Sequence, residues 1–261
     1  MKVARPSVPA HWAADEAEFT AAVRDLGAPA PAVLDVVQVQ GRDAIVFERV
    51  WGPSMWDLIL DDPQSAPAFG RELAEVHRQI LRAGLPVAVS GLVGRMQRKI
   101  IEIKQFSGAE RDRALHVLES LPRGAALLHG DLHPGNVLMS PVGPVAIDWF
   151  DAAVGHPVAD VVRSSLLIRP FDSIVGRPHL PEATRPVLRE LHESYVSEMH
   201  DVLALPREEL GQWEAVVAAS RLAEEAETDE SPLLALWQGG GGGGDASPVE
   251  GMLAGGVSRR G

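Results

Sequence analysis

The sequence predicts an α+β protein in which a small, sheet-bearing N-terminal lobe precedes a larger helical lobe. Val33–Val39 and Ala44–Val50 are β-rich runs separated by a short polar turn, which is typical of a hairpin. Most of the chain beyond them has helical periodicity, and a second hairpin is inserted among the helices. We therefore expect one lobe at residues 1–51, a second at 52–237 and a tail at 238–261.

The composition excludes several classes of function. The chain has 24 basic and 36 acidic residues, a net charge of −12, which argues against a nucleic-acid-binding surface. It has no cysteine, so disulfides and thiolate metal sites are excluded. There is no membrane-spanning apolar run and no apolar signal-peptide region, so we expect a cytoplasmic protein without a membrane partner. The glycine run after Trp237 cannot bury enough apolar surface to fold, which predicts a disordered tail.

The first predicted helix carries an acid on its apolar face. Residues 13–26 are helix formers, and Glu16 shares a face with Phe19 and Leu26. A buried carboxylate is costly without a cationic partner, and Lys2 is the candidate partner for Glu16.

Further helices follow from apolar spacing and from helix breakers. The clearest pattern is Phe69, Leu73, Val76 and Ile80, whose spacing predicts an amphipathic helix. His77 adjoins this face, and we interpret it as a hydrogen-bonded helix residue outside the site. The other helices are expected at residues 54–60, 92–106, 110–121, 158–168, 181–205 and 207–228.

A second hairpin is predicted between residues 137 and 147, where two short apolar runs are joined by a Gly/Pro/Ser turn. A polar loop precedes it. Together they hold Asp131, Asn136 and Asp148 at one rigid edge. Two carboxylates and an amide at that edge suit proton acceptance and the coordination of Mg²⁺ by oxygen ligands.

This loop and hairpin resemble a family motif. His-Gly-Asp-Leu-His-Pro-Gly-Asn at 129–136, followed by Ile-Asp-Trp at 147–149, resembles the aminoglycoside phosphotransferase and choline kinase-like family, which are small-molecule kinases with a protein-kinase-like fold. The resemblance spans about residues 2–237 in family order. It includes an inter-lobe hinge at 48–52 and a segment after the metal site at 155–162.

The resemblance implies roles in catalysis and metal binding. Asp131 would orient the acceptor hydroxyl and take its proton, while Asn136 and Asp148 would hold Mg²⁺ against the ATP phosphates. His129 and Asp160 would support the loop.

The resemblance also implies a nucleotide site in the N-terminal lobe. Lys2 would contact the α- and β-phosphates, Glu16 would fix its position, and backbone groups from Glu48 to Val50 would meet the adenine. Family members have two strands and a Gly-rich phosphate-covering loop before this lysine, whereas the present sequence begins directly before Lys2. Either the start of the protein lies further upstream or its nucleotide clamp is impaired. In the sequence as given, the expected sheet is truncated and has an exposed edge.

Three functions follow from these residues. The first is transfer of the ATP γ-phosphate, with Mg²⁺, to a hydroxyl of a small polar molecule such as an aminoglycoside-like antibiotic or a metabolite. The second is a catalytically impaired kinase-like protein used for binding or regulation, suggested by the missing Gly-rich loop. The third is a metallohydrolase, because His129, Asp131 and His133 alternate and would share one face of an extended chain, although Pro134 and Gly135 predict a loop there.

The acceptor is not identified by the sequence. An acidic cluster near the C-terminus predicts a solvated face and slightly favours a cationic acceptor; its members are Glu224, Glu225, Glu227, Asp229 and Glu230. Asp151 and His156 are predicted to be loop residues.

Overall fold

The structure of the chain is a computed structural model. It describes residues 1–4, 12–86, 90–170, 184–224 and 230–239, and the descriptions below are confined to those ranges. Most of the predicted tail lies outside the described residues, so its disorder stays a prediction.

The N-terminal part combines a three-stranded antiparallel sheet with one helix. Its elements are β1 (Lys2–Val3), α1 (Trp12–Asp25), β2 (Val33–Val39) and β3 (Arg42–Phe47). The strand order is β1-β3-β2, so the predicted hairpin is confirmed and β1 lies at an edge. Gln40 and Gly41 turn the hairpin with φ values of 52° and 75°, which match the twist of the paired strands.

Helix α1 packs its small residues against this sheet. Ala13 and Ala17 are buried in a cluster that includes Ile45 of β3. Glu16 is only 5% exposed, which confirms that the acid faces inward. Leu26 is 39% exposed because the helix ends before it, so its predicted burial was wrong.

A large helical part follows, with four further short strands inserted in it. Its helices are α2 (Met55–Asp61), α3 (Ala66–Arg82), α4 (Leu92–Glu102), α5 (Gly108–Ser120), α6 (Pro157–Ile168), α7 (Arg185–Glu198), α8 (Arg207–Arg221) and α9 (Ser231–Gly239). Capping boxes start α2 at Ser54 and α5 at Ser107, so the side chain of each serine accepts from a backbone amide of the first turn. None of the helices in the described ranges is long and apolar enough to cross a membrane.

Several helix ends differ from the predicted ones. The helix expected over 92–106 ends at Glu102, the one expected over 181–205 is α7, and the one expected over 207–228 ends at Arg221. Helix α9 was not predicted. Its Leu233 and Trp237 are buried in the main core, although the sequence on either side of them is polar or glycine-rich.

The inserted strands form two antiparallel pairs. They are β4 (Ala126–Leu128) with β7 (Ala153–Gly155), and β5 (Val137–Ser140) with β6 (Gly143–Ala146). The β5–β6 pair confirms the second predicted hairpin. Met139 of β5 donates its N–H to the carbonyl of Pro53 at 2.9 Å, which ties this hairpin to the segment linking the two parts.

Candidate active site

Three of the predicted residues meet at the open end of the β5–β6 hairpin. Asn136 ends the turn before β5, and Asp148 follows β6. The N–H of Ile147 donates to the carbonyl of Asn136 at 2.9 Å, so the two chain segments lie side by side. The Asn136 amide donates to the backbone carbonyl of Asp131 at 2.9 Å and to its carboxylate at 3.2 Å. The structure therefore brings Asp131, Asn136 and Asp148 together.

Lys2 connects α1 to this end of the hairpin. Its Nζ lies 2.6 Å from Oε1 of Glu16 and 2.7 Å from Oδ1 of Asp148. Burial raises the pKa of Glu16, and the Lys2 ammonium partly opposes that rise. Lys2 is therefore the cationic partner that Glu16 needs, and it contacts an acid on each side.

Asp148 has a backbone conformation that is rare for a residue other than glycine. Its φ and ψ are 66° and 65°, in the left-handed region. The next residue holds this conformation in place, because the Trp149 indole donates to the carbonyl of Ala146 at 2.9 Å. The same indole packs on the ring of His129, with 4.7 Å between ring centroids. The unusual conformation at Asp148 is thus fixed by buried contacts.

A buried carboxylate, that of Asp160, anchors the loop before β5. Asp160 of α6 accepts from the N–H of His129 at 2.7 Å and from that of Gly130 at 2.9 Å. His77 Nε2 lies 3.1 Å from the same carboxylate, and Nδ1 lies 2.7 Å from the Tyr195 hydroxyl. These contacts agree with the support predicted for Asp160. His77 is a hydrogen-bonded helix residue, as predicted, and its contacts are part of this anchor.

The electrostatics of the anchor favour a charged Asp160 beside a neutral His129. Burial would raise the pKa of Asp160, but the hydrogen bonds from His77 and the Gly130 amide outweigh it and lower that pKa. Burial lowers the pKa of His129. Nδ1 of His129 accepts from the Asp131 N–H at 3.2 Å, which leaves Nε2–H to donate to the Ile147 carbonyl at 3.1 Å.

Gly130 lies too close to the backbone of Asp151 to carry a side chain. Its φ is 79°, and an added Cβ would lie 2.0 Å from the carbonyl oxygen of Asp151. We expect Gly130→Ala to lower the free energy of unfolding by about 3 kcal/mol, since the loop must move. Gly41→Ala is the matched control, because φ there is 75° but nothing lies within 4 Å of the added Cβ. It should cost about 1 kcal/mol in the same urea titration. Equal losses in the two variants would contradict this account.

Asp131 is half-buried beside an arginine. Burial raises the pKa of Asp131, and the charge of Arg163 partly offsets this rise. One guanidinium nitrogen of Arg163 lies 3.5 Å from the Asp131 carboxylate, and its Nε donates to the carbonyl of Gly130. Such a carboxylate binds a proton more readily than an exposed aspartate does, which suits a proton acceptor.

Arg163 belongs to a group of basic residues that the sequence analysis missed. We call it the cationic cleft: Arg95 and Lys99 of α4, Arg163 of α6 and Arg221 of α8. Asp151 lies 3.2 Å from Arg95 and 3.8 Å from Lys99, so it is an ion-paired residue as well as part of a turn. The available sequence signal was the lone arginine at position 163 within the otherwise uncharged stretch of α6 after Asp160.

Glu224 is paired with this cleft, so its predicted place on a solvated face was wrong. It lies 2.6 Å from Arg163 and 2.8 Å from Lys99. Burial would raise the pKa of Glu224, but the charges of Arg163, Arg221 and Lys99 lower it to about 2. Glu230 accepts from the Gln105 amide at 2.6 Å. The other three members of the predicted acidic cluster lie outside the described residues.

The hinge residues form their own contacts away from the hairpin. The Glu48 carboxylate accepts from the N–H of Ala32 at 2.7 Å and from Arg24 at 2.5 Å. The hydrogen bond from Ala32 and the Arg24 guanidinium lower the pKa of Glu48. Val50 is partly exposed beside it. Adenine recognition by the Glu48–Val50 backbone stays a prediction.

The donor atoms at the hairpin fit a hard cation such as Mg²⁺. Magnesium is typically held by one or two protein oxygen ligands together with substrate phosphates, and Asn136 and Asp148 supply an amide and a carboxylate. Among the described residues, no group of three or more His, Cys, Asp and Glu side chains is placed to hold a metal. His133 Nδ1 accepts from the Gly135 N–H at 3.0 Å. The metallohydrolase hypothesis therefore lacks its ligand cluster in this part of the chain.

The chain has a small sheet with one helix, followed by a helical part. The loop that carries Asp131 lies at the β5–β6 hairpin. Together these features define a kinase-like protein. The family model described as the phosphotransferase enzyme family, APH, matches residues 1–178. The chain therefore belongs to this family of small-molecule phosphotransferases, which confirms the resemblance found in the sequence. No curated protein matches the chain.

Solved structures show the same fold at low sequence identity. A thermostable mutant of aminoglycoside phosphotransferase APH(4)-Ia, in ternary complex with ADP and hygromycin B, has a TM-score of 0.61 at 19% identity, covering 87% of this chain and 83% of that one. An aminoglycoside-3'-phosphotransferase of type VIII has a TM-score of 0.52 at 20% identity, covering 81% of each chain. Amicoumacin kinase, in complex with AMP-PNP, Ca²⁺ and Ami, has a TM-score of 0.55 at 13% identity, covering 87% and 76%.

Proposed function

We propose that this phosphotransferase uses ATP and Mg²⁺ to phosphorylate a hydroxyl of a small polar molecule, an antibiotic or a metabolite, in the cytoplasm. The observation that carries the proposal is the meeting of Asp131, Asn136, Asp148 and Lys2 around one hairpin end. That set contains a proton acceptor, two oxygen ligands and a cation, which are the parts that phosphoryl transfer requires.

The proposed reaction assigns one task to each residue. Asp131 takes the proton of the acceptor hydroxyl as that oxygen bonds to the γ-phosphorus of ATP. The bond from the γ-phosphorus to the β–γ bridging oxygen breaks, and ADP leaves. Asn136 and Asp148 would hold Mg²⁺, whose charge offsets that of the phosphates.

The nucleotide would bind between the two predicted lobes, residues 1–51 and 52–237. Lys2 would contact the α- and β-phosphates while Glu16 holds it at 2.6 Å, and the backbone from Glu48 to Val50 would meet the adenine. Solved structures similar to this chain contain ADP in one case and AMP-PNP with Ca²⁺ in another, which supports a nucleotide and a divalent cation here.

Nucleotide binding tests this proposal directly. We expect Mg²⁺ with AMP-PNP to raise the melting temperature of the wild-type protein. Lys2→Met should weaken binding of that nucleotide by about 10- to 100-fold in isothermal titration, since a charged hydrogen-bond donor to phosphate is lost. Lys104→Met is the control, because Lys104 is an exposed lysine.

Two outcomes would refute the nucleotide site. One is a wild-type melting temperature that Mg²⁺ and AMP-PNP leave unchanged. The other is equal AMP-PNP affinity in wild type and Lys2→Met.

A further inference from the structure

We propose that the phosphate acceptor carries an oxyanion, a phosphate or carboxylate group, which binds in the cationic cleft next to Asp131. This inference rests on the proposed function, because it specifies the acceptor of that reaction. It starts from the placement of four basic side chains in a chain whose net charge is −12. Arg95, Lys99 and Arg163 line a cavity that also includes Gly130 and Asp151.

The cleft lies where an acceptor must bind. Arg163 contacts the proposed proton acceptor Asp131 at 3.5 Å and also donates to the backbone of the same loop. A molecule whose hydroxyl reaches Asp131 would therefore have Arg163 beside it. Lys99 and Arg95 reach the cleft from α4, one helical turn apart.

The balance of charge in the cleft is positive. Among the described residues that line its cavity, three are basic, Arg95, Lys99 and Arg163, and two are acidic, Asp151 and Asp160. The Asp160 carboxylate is directed to backbone amides and to His77. A polycationic acceptor would meet like charges here, which opposes its binding.

Glu224 shows that an oxyanion fits among these cations. Its carboxylate lies 2.6 Å from Arg163, 2.8 Å from Lys99 and 3.9 Å from Arg221. Three basic residues from three different helices thus converge on one carboxylate. The slight preference of the sequence for a cationic acceptor came from the acidic cluster that includes Glu224. The negative charge of Glu224 is instead balanced by the basic residues of the cationic cleft.

Arg221 follows Ser220, which lines the cavity, and it has buried donors without a partner in the described residues. It is 8% exposed, and its Nε and Nη1 are buried without a hydrogen-bond partner in the described part of the structure. Its nearest ion-pair contact is the 3.9 Å approach to Glu224, which is too long for a hydrogen bond. Leaving guanidinium donors buried and unpaired is costly, and a bound oxyanion could accept from them.

Inorganic phosphate is the probe for this site. We expect phosphate, added at constant ionic strength in place of chloride, to raise the melting temperature of the wild type in the presence of saturating Mg²⁺ and AMP-PNP. The nucleotide keeps phosphate out of the ATP site. Repeating the titration in Lys2→Met without nucleotide gives a second test that does not depend on nucleotide binding.

Two variants locate the binding of phosphate. Lys99→Gln and Arg221→Gln should each weaken phosphate binding by about tenfold, the loss of one charged contact. Arg98→Gln removes the same kind of charge from the exposed side of α4 and should leave the affinity unchanged. Lys99 is partly exposed, so phosphate binding can be measured in Lys99→Gln if Arg221→Gln fails to fold. Phosphate that does not bind, or that binds equally well to the Lys99→Gln and wild-type proteins, would overturn the inference.

Paired acceptors separate this inference from the proposed function. We expect phosphoryl transfer to ribose 5-phosphate to have a kcat/KM about tenfold or more above that for ribose, an advantage that Lys99→Gln loses. Transfer that favours ribose or the polycation kanamycin would overturn the oxyanion inference while leaving the phosphotransferase intact. If nucleotide fails to bind but phosphate still binds through Lys99, the proposed ATP-dependent reaction fails and the oxyanion site stands.

Discussion

Replacing Asp131 by asparagine is expected to lower kcat for phosphoryl transfer by about 10²- to 10⁴-fold, the usual contribution of a positioned proton acceptor. The amide keeps the size of the side chain and still accepts a hydrogen bond from Asn136, which lies 3.2 Å from the carboxylate. It cannot take the proton from a hydroxyl. The affinity for Mg²⁺ with AMP-PNP should stay within about twofold, because Lys2 and Asp148, which we assign to the nucleotide and metal, are unchanged.

Steady-state kinetics with any accepted hydroxyl compound, together with nucleotide titration, measures both effects. Asp112→Asn is the matched control, since Asp112 is an exposed aspartate on α5. An Asp131→Asn enzyme with an unchanged kcat would remove Asp131 from the mechanism.

Asp131 also determines how we expect the reaction rate to depend on pH. Burial raises the pKa of Asp131 from its ordinary value of 3.8, with Arg163 opposing. Only the deprotonated form accepts a proton, so kcat/KM should increase with pH through this raised pKa and level off above it. An acid limb at or below 3.8 would contradict this assignment.

Replacing Asp160 by alanine is expected to lower the free energy of unfolding by about 3–5 kcal/mol. The substitution leaves the buried N–H groups of His129 and Gly130 without their acceptor, and it also removes a partner of His77. Each unpaired buried donor carries its own desolvation cost, and the loop that holds Asp131 loses its anchor. Urea unfolding measures the loss in stability, and activity should fall with it.

Asp201→Ala is the control for this comparison. Asp201 also forms an ion pair, 2.6 Å from Arg78, but its side chain is 55% exposed. Solvent screens such a pair, so its removal should cost less than about 1 kcal/mol. Similar losses for the two variants would show that Asp160 is not a buried anchor.

The pH dependence of stability is a second test of the anchoring role of Asp160. Its pKa is lowered in the folded protein, so the stability it contributes is present above the ordinary aspartate pKa and is lost as pH falls through the lowered value. Asp160→Ala should therefore flatten the loss of stability in acid. A wild-type and a variant curve that run parallel would contradict this.

The part of the site that is local in sequence could be predicted, because short-range patterns determine it. The loop and hairpin from 129 to 148 combine turn residues with short apolar runs, and these fix the placement of Asp131, Asn136 and Asp148. The partner of Glu16 was also predictable, since an acid on a buried helix face requires a cation and Lys2 was the candidate.

The cationic cleft could not be predicted, because its members come from α4, α6 and α8. Lys99 and Glu224 are 125 residues apart in sequence and 2.8 Å apart in space. Apart from Arg163, each member of the cleft, taken alone, has the pattern of an ordinary solvated helix charge. Strands β4 and β7 were missed for a related reason, since each has only three residues and they pair with each other across 25 or more residues of sequence.

The contact of Lys2 with Asp148 has a consequence for how ligands would enter. One ammonium group, 2.6 Å from Glu16 and 2.7 Å from Asp148, is shared between two carboxylates. A metal ion arriving alone would have to displace this ammonium from Asp148 and would gain little attraction in exchange. Phosphates that arrived together with the metal would offer Lys2 another partner, and Asp148 would then be free to hold the cation. Binding would then be an exchange of counter-ions, which favours the metal–nucleotide complex over either component by itself.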